Sequence, residues 1–236
     1  MGAAGAVVGA GPDRLRGTAA VLACREGDGP VSHPRIAATV AGLGVPVADV
    51  DAREAALREA MPAAALPRAG TSEGRQLRRW LTQLLVTERV IAAEAVDAGV
   101  TSMGAPAESQ LLPDDSARLE IGSIAAAALA DPLARAMYAH VTADVEVDDV
   151  DVADYHGRNP LRFAQPSDIG NGWRTATLQA PPLDAVSTLI ADHLRGAARR
   201  RAFRLWLDAR RAELVRLAPG YEHPGDPRQP DNTHRH

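Results

Sequence analysis

The chain predicts a mainly α fold that opens with a small N-terminal β-hairpin and is closed by a long C-terminal helix. Three observations predict it. Apolar side chains recur at i, i+3, i+4 and i+7 through residues 72–98 and again through 183–217, the period of an amphipathic helix. Two β-prone runs, residues 36–40 and 45–47, flank the glycines at 42 and 44. Hydrophobic residues make up 46% of the chain but aromatics only 3%, so Leu, Val and Ile on helices must supply most of the core.

Taken in order, residues 1–35 form an extension without a clear period. Residues 3–8 and 18–24 read either as two short strands about a turn at 11–13 or as a segment without fixed structure. The hairpin follows, with its turn at the glycines of 42–44. Asp49 is placed to cap a helix over 50–61, rich in Ala, Arg, Glu and Leu, which Pro62 and Pro67 close. From 72 to 98, Leu77, Trp80, Leu81, Leu84, Leu85, Ile91, Ala92 and Ala95 share one helical face. Glu73, Arg75, Arg78, Arg79, Glu88 and Arg89 take much of the other, and Gly99 stands at the stop.

A further helix is expected over 116–130. Asp131-Pro132 restarts a helix through His140, with an N-cap and a proline at its first position. The acidic run 144–154 reads as a solvated charge face in which Asp148 or Asp149 caps a short helix through Tyr155 and His156, ended by Pro160. Residues 165–172 are a loop, and 173–178 a short strand. The closing helix over 183–217 carries Val186, Ile190, Leu194, Ala197, Phe203, Trp206, Leu207 and Leu214. Arg199, Arg200, Arg201, Arg210 and Arg211 decorate its outer face. Residues 220–236, rich in Pro, Asp, Arg and His, read as loop or disorder. The division is thus an extension over 1–35, a helical domain over 36–217 and a tail over 218–236.

Composition excludes several classes of function. A net charge of −4 argues against a nucleic-acid partner. All 26 basic residues other than histidine are Arg, so no lysine Schiff base, lysine base or Walker lysine exists. The single cysteine, Cys24, permits no intrachain disulfide and fits a reducing compartment. Residues 1–12 lack a basic n-region, and only about six apolar positions precede Cys24, too few for a secretory h-region. No run approaches the roughly 18 apolar residues of a membrane span. These points lead to an expectation of a cytoplasmic protein without a membrane partner.

No motif completes a catalytic site. Val7-Val8-Gly9-Ala10-Gly11-Pro12 starts like a dinucleotide fingerprint, but Arg14 stands at the third glycine and no crossover helix follows. No Gly-x-Ser-x-Gly elbow occurs. The acidic run lacks the sixth-position glycine and final Glu of a calcium loop. Among the seven histidines no pair has His-Glu-x-x-His spacing, and His193 falls on the apolar side of the last helix. His223, His234 and His236 lie in the tail near Glu222, Asp226 and Asp231. If the tail folds back, these histidines are candidate ligands of a divalent transition metal. No other cofactor is expected.

Four pieces together resemble one family. They are Val40-Ala41-Gly42 with Val45-Pro46-Val47 and an acidic cap at 49–51; the helix with Leu77, Trp80, Leu81, Leu84, Leu85, Glu88 and Glu94 ending at Gly99; Tyr155-x-x-x-Asn159-Pro160-x-x-Phe163; and the closing helix over 186–211. In this order, over residues 36–215, they resemble the SurA/PpiC-type chaperones, helical foldases that often carry a parvulin prolyl-isomerase domain. The chain departs from that family at Ala41, where an Asn is usual. It also leaves only about 20 residues between Phe163 and the closing helix, too few for a parvulin domain. The resemblance implies a SurA-like helical chaperone module without isomerase activity, its first and last long helices packed together.

The expected function is a non-catalytic, chaperone-like or maturation factor that binds a client protein or peptide. Trp80, Tyr155 and Phe163 are assigned to the core, leaving Trp173, Phe203 and Trp206 as the peptide-binding side chains. The alternatives are a metal-binding accessory protein that uses the tail histidines, and an enzyme subunit whose site a partner completes. Homo- and hetero-oligomers both remain open.

Overall fold

A two-residue turn sets the first of the described elements. In the computed structural model, which describes residues 35–164 and 179–226, β1 (Ile36–Val40) pairs antiparallel with β2 (Leu43–Pro46). The turn is Ala41-Gly42, with φ of 49° and 80°, the two positive values a type I′ hairpin requires. It therefore lies earlier than the glycine pattern suggested. Leu43 and Gly44 belong to β2, with Leu43 opposite Val40.

Pro46 ends the strand and stands at the N-cap of α1 (Val47–Ala60), with no side-chain cap. Asp49 is thus not the cap. It sits in the first turn, where the helix dipole favours a carboxylate, and accepts a hydrogen bond from Arg89 at 2.9 Å. Helix α1 buries only Val50. Charge attaches it to α2 (Ser72–Ala98) through Asp49–Arg89, Asp51–Arg78, Arg53–Glu88 and Glu54–Arg78. Even fully exposed pairs contribute about 0.2–1 kcal/mol each, and these are only partly exposed, so their number matters more than any single one.

Helix α2 spans the residues its period predicted. Thr71 Oγ1 accepts from the Gly74 amide at 3.1 Å, and Gly99, at φ 66°, closes the far end in the left-handed conformation. Its charged face, however, is not all solvent. Arg79, Thr82, Gln83 and Thr87 are buried, so α2 is covered on two sides.

The helix expected over 116–130 is two helices. A short α3 (Glu108–Leu111) precedes α4 (Asp115–Ile121) and α5 (Ser123–Ala128). Gly122, at φ 89° and ψ 149°, separates the last two, a conformation that no helix passes through. Asp131 caps α6 (Pro132–Val141) by accepting from the Leu133 amide at 2.8 Å. Asp148 caps α7 (Asp149–Arg158) by accepting from the Asp151 amide at 2.7 Å.

The closing helix α8 (Leu183–Leu214) ends earlier than its apolar pattern, and the chain continues as β3 (Val215–Leu217). This strand pairs antiparallel with β1, giving the order β2-β1-β3. The Ala41 amide donates to Leu214 O and the Ala218 amide to Ala37 O, both at 2.9 Å. Local period could not reveal β3, because its partners lie far away in sequence.

The main core joins Leu84, Val86, Val90 and Ile91 of α2 to Ile121, Leu129, Met137, Tyr138, Phe203 and Leu207, with Val40 and Val45 from the sheet. A smaller cluster of Val152, Val186 and Ile190 holds α7 against the first half of α8. Phe203 is 0% exposed. Its ring lies 5.1 Å from Tyr138 and 5.4 Å from Trp206. A Phe203→Ala variant should lose about 3–5 kcal/mol of stability in urea unfolding; a loss below about 1 kcal/mol would place the ring outside the core.

Candidate functional site

Of the side chains expected to meet a peptide, Phe203 is a core residue that offers no surface to a ligand. Trp206 is partly buried against the main core, and Trp173 lies outside the described residues. Trp80 also packs on that core and donates its indole N–H to Ser123 Oγ at 3.3 Å. Tyr155 and Phe163 pack on the smaller cluster with ring centroids 6.4 Å apart. His193 joins them, 5.5 Å from Tyr155 and 6.0 Å from Phe163. Asn159, which donates to Tyr155 O at 3.0 Å, is the C-cap that lets the chain turn back there.

Two concave sites are built on α2. The first is an apolar groove of about 260 Å³ between α2 and the hairpin, lined by Val40, Ala41, Leu43, Val45, Arg89, Ala92, Ala93 and Val96. Helical period produces one wall, since positions 89, 92, 93 and 96 stand at i, i+3, i+4 and i+7 of α2. The hairpin supplies the other. Val40 and Val45 are buried beneath it, whereas Leu43 is 73% and Val96 81% exposed. Two large apolar side chains thus face water across small alanines, an arrangement that favours an incoming apolar group. Arg89 marks the polar end and is held there by Asp49. Sequence reasoning passed over this groove, although an apolar Val96 on the charged side of α2 was a readable signal.

The second is a cleft of about 330 Å³ lined by Thr87, Ile121–Ala125, Arg204, Leu207, Asp208, Arg211 and His223. Arg204, Leu207, Asp208 and Arg211 form one stripe of α8. Arg211 donates to Gln83 O at 3.2 Å and also to Gln83 Oε1 and Thr87 Oγ1. Gln83 Nε2 donates in turn to Tyr221 O at 2.9 Å, and Arg79 Nε to Gly220 O at 3.2 Å. The start of the tail, read from sequence as loop or disorder, is therefore fastened along α2. The arginines assigned to the outer face of α8 divide in the same way. Arg200 is buried, donating to Glu120 Oε2 at 2.7 Å. Arg199 lies 5.6 Å from the Tyr138 ring centre.

Burial lowers the Arg211 pKa from its ordinary value, and Asp208 offsets this only in part. Partial burial and the Arg211 charge likewise lower the His223 pKa, with Asp226 opposing them. His223 Nδ1 accepts from the Gly225 amide at 3.0 Å. Among the described residues, no three His, Cys, Asp or Glu side chains come together to hold a metal. His234 and His236, the other metal candidates, lie outside the described residues. No described helix is long and apolar enough to cross a membrane.

Residues 36–73, which include the hairpin wall of the groove, match a family of unknown function (DUF7158). No curated protein and no solved structure matches the chain.

The lowered His223 pKa has a direct consequence for stability. The unfolded chain takes up this proton near pH 6.5, and the folded chain only at lower pH. The stability that depends on a neutral His223 is present above that range and falls as pH drops through it. Urea midpoints from about pH 7.5 to 5 should therefore fall more steeply for the native sequence than for His223→Gln. Parallel profiles would mean that neither burial nor Arg211 lowers the pKa of the ring on folding.

Proposed function

We propose that this protein is a non-catalytic binding module that grips an apolar side chain of a dedicated partner protein or peptide in the groove between α2 and the hairpin. The observation that carries this reading is the pairing of two exposed large apolar side chains, Leu43 and Val96, over buried Val40 and Val45. A branched or aromatic side chain of the partner would remove both from water, at about 25 cal/mol for each Å² of apolar surface covered.

The backbone contributes less. Strand β2 has four residues and ends in Pro46, which has no N–H to donate. Binding by strand addition is accordingly poor, and side-chain anchoring is favoured. The resemblance of the hairpin, the long helix and the closing helix to chaperone modules supports the same class of partner, an apolar segment of another chain. A small groove with fixed alanines suits one client better than general holding of unfolded chains.

The test is affinity capture under native conditions with the intact chain, comparing the native sequence with the Leu43→Ser/Val96→Lys double variant. Both positions are exposed, so the urea midpoint of the variant should stay within about 0.5 kcal/mol of the native value. A partner held by the native protein should be retained at least about tenfold less by the variant, a loss of roughly 1.4 kcal/mol. Equal retention by both would overturn the reading.

A further inference from the structure

We propose that the cleft formed by α2, α5, α8 and the start of the tail is a binding site for a carboxylate with an apolar body, its charge met by Arg204 and Arg211 and its body by Ile121, Ile124 and Leu207. This inference does not rest on the groove. The two sites share no lining residue.

The charge balance of the cleft is the first argument. Its walls carry two guanidinium groups and one carboxylate, Asp208. Within the described residues neither guanidinium forms an ion pair. Arg211 is held by the neutral oxygens of Gln83 and Thr87, and Arg204 donates to the carbonyl of Glu120 at 3.0 Å. Among the other described arginines, Arg53, Arg58, Arg78, Arg89, Arg118, Arg195, Arg200 and Arg210 meet carboxylates, whereas Arg135 and Arg199, like Arg204 and Arg211, donate to neutral oxygens. Counted over its own lining, the cleft thus keeps an excess of one positive charge. After burial, the Arg211 charge contributes to the lowered pKa of His223, with Asp226 opposing it.

Preorganisation is the second argument. Arg211 is anchored to two buried residues of α2, so little side-chain freedom remains to be lost when an anion arrives. The cleft's apolar floor and modest volume select the body of the ligand. About 330 Å³ is at the small end of ligand pockets. One excess positive charge suits a carboxylate better than a phosphate dianion. Ser123 adds a hydroxyl whose oxygen already accepts from Trp80, which leaves its proton to donate.

A free branched-chain acid and the C-terminal carboxylate of a peptide ending in Leu share this chemistry. Calorimetric titration of the full chain with 4-methylpentanoate, with 4-methylpentanamide, and with a leucine-ending peptide in its acid and amide forms distinguishes them. At least one acid form should bind saturably and at least about tenfold tighter than its amide. Arg204→Gln should weaken that binding about tenfold without moving the urea midpoint, whereas Leu43→Ser/Val96→Lys should bind the acid as the native chain does. Tight binding of the peptide acid alone would identify the source as a chain terminus and still uphold the site. No saturable binding of either acid, equal binding of acid and amide, or an unchanged affinity in Arg204→Gln would overturn it.

Discussion

The contact on which the rest of the fold depends is the grip of Arg211 on Gln83. Gln83 is fully buried in the middle of α2, where an unsatisfied amide would cost about 1–3 kcal/mol. Arg211 supplies donors to its carbonyl and its Oε1, and its Nε2 is satisfied by Tyr221 O. One side chain therefore ties the end of the last helix and the start of the tail to the first long helix. Four residues beyond Arg211 the chain enters β3, whose pairing with β1 fixes the hairpin in turn. Removing either partner would leave buried polar groups without the other. Direction and register of α8 relative to α2 follow from this contact more than from Leu, Val and Ile, which would pack acceptably in several registers.

Burial on two sides is what makes α2 the support of both concave sites. At 100° per residue, the stripe Arg79, Gln83 and Thr87 and the stripe Arg89, Ala92, Ala93 and Val96 are centred about 130° apart around the helix. The first stripe is covered by α8 and the tail and borders the cleft. The second meets the hairpin and leaves the groove. Leu84, Ile91 and Ala95 lie between them and fill the core. A helix so surrounded cannot shift along one neighbour without disturbing another, which keeps the walls of both sites fixed.

What the sequence made legible was local. Helix α2 could be read to both ends and α6 and α7 from their starts, because Gly99, Asp131-Pro132 and Asp148 act within a turn of their own positions. The hairpin was legible as two β-prone runs, but its turn was displaced because Ala41, which carries a positive φ, gives no such sign in sequence. Strand β3 and the buried polar face of α2 were not legible, since both depend on partners more than a hundred residues away. The site shared this limit. An arginine run on an amphipathic helix does not tell which guanidinium will find buried acceptors, and so Arg200 and Arg211 read like Arg201, which stays exposed. Aromatic residues drew attention as contacts, yet in a chain with so few of them the core claims Phe203 and Tyr138 first.

The uneven distribution of core material then bears on which parts of the molecule can move. The smaller cluster buries only Val152, Val186 and Ile190, with Tyr155, Phe163 and His193 gathered at its side. Little apolar surface holds α7 to the first half of α8, and its acidic first turn adds solvation to the open form. Local opening there should require less free energy than opening of the main core. The groove and the cleft stand instead on α2 and the second half of α8, whose residues belong to the main core. Recognition surfaces on the most stable part of the chain keep their shape when α7 opens, so neither site depends on that motion for its form.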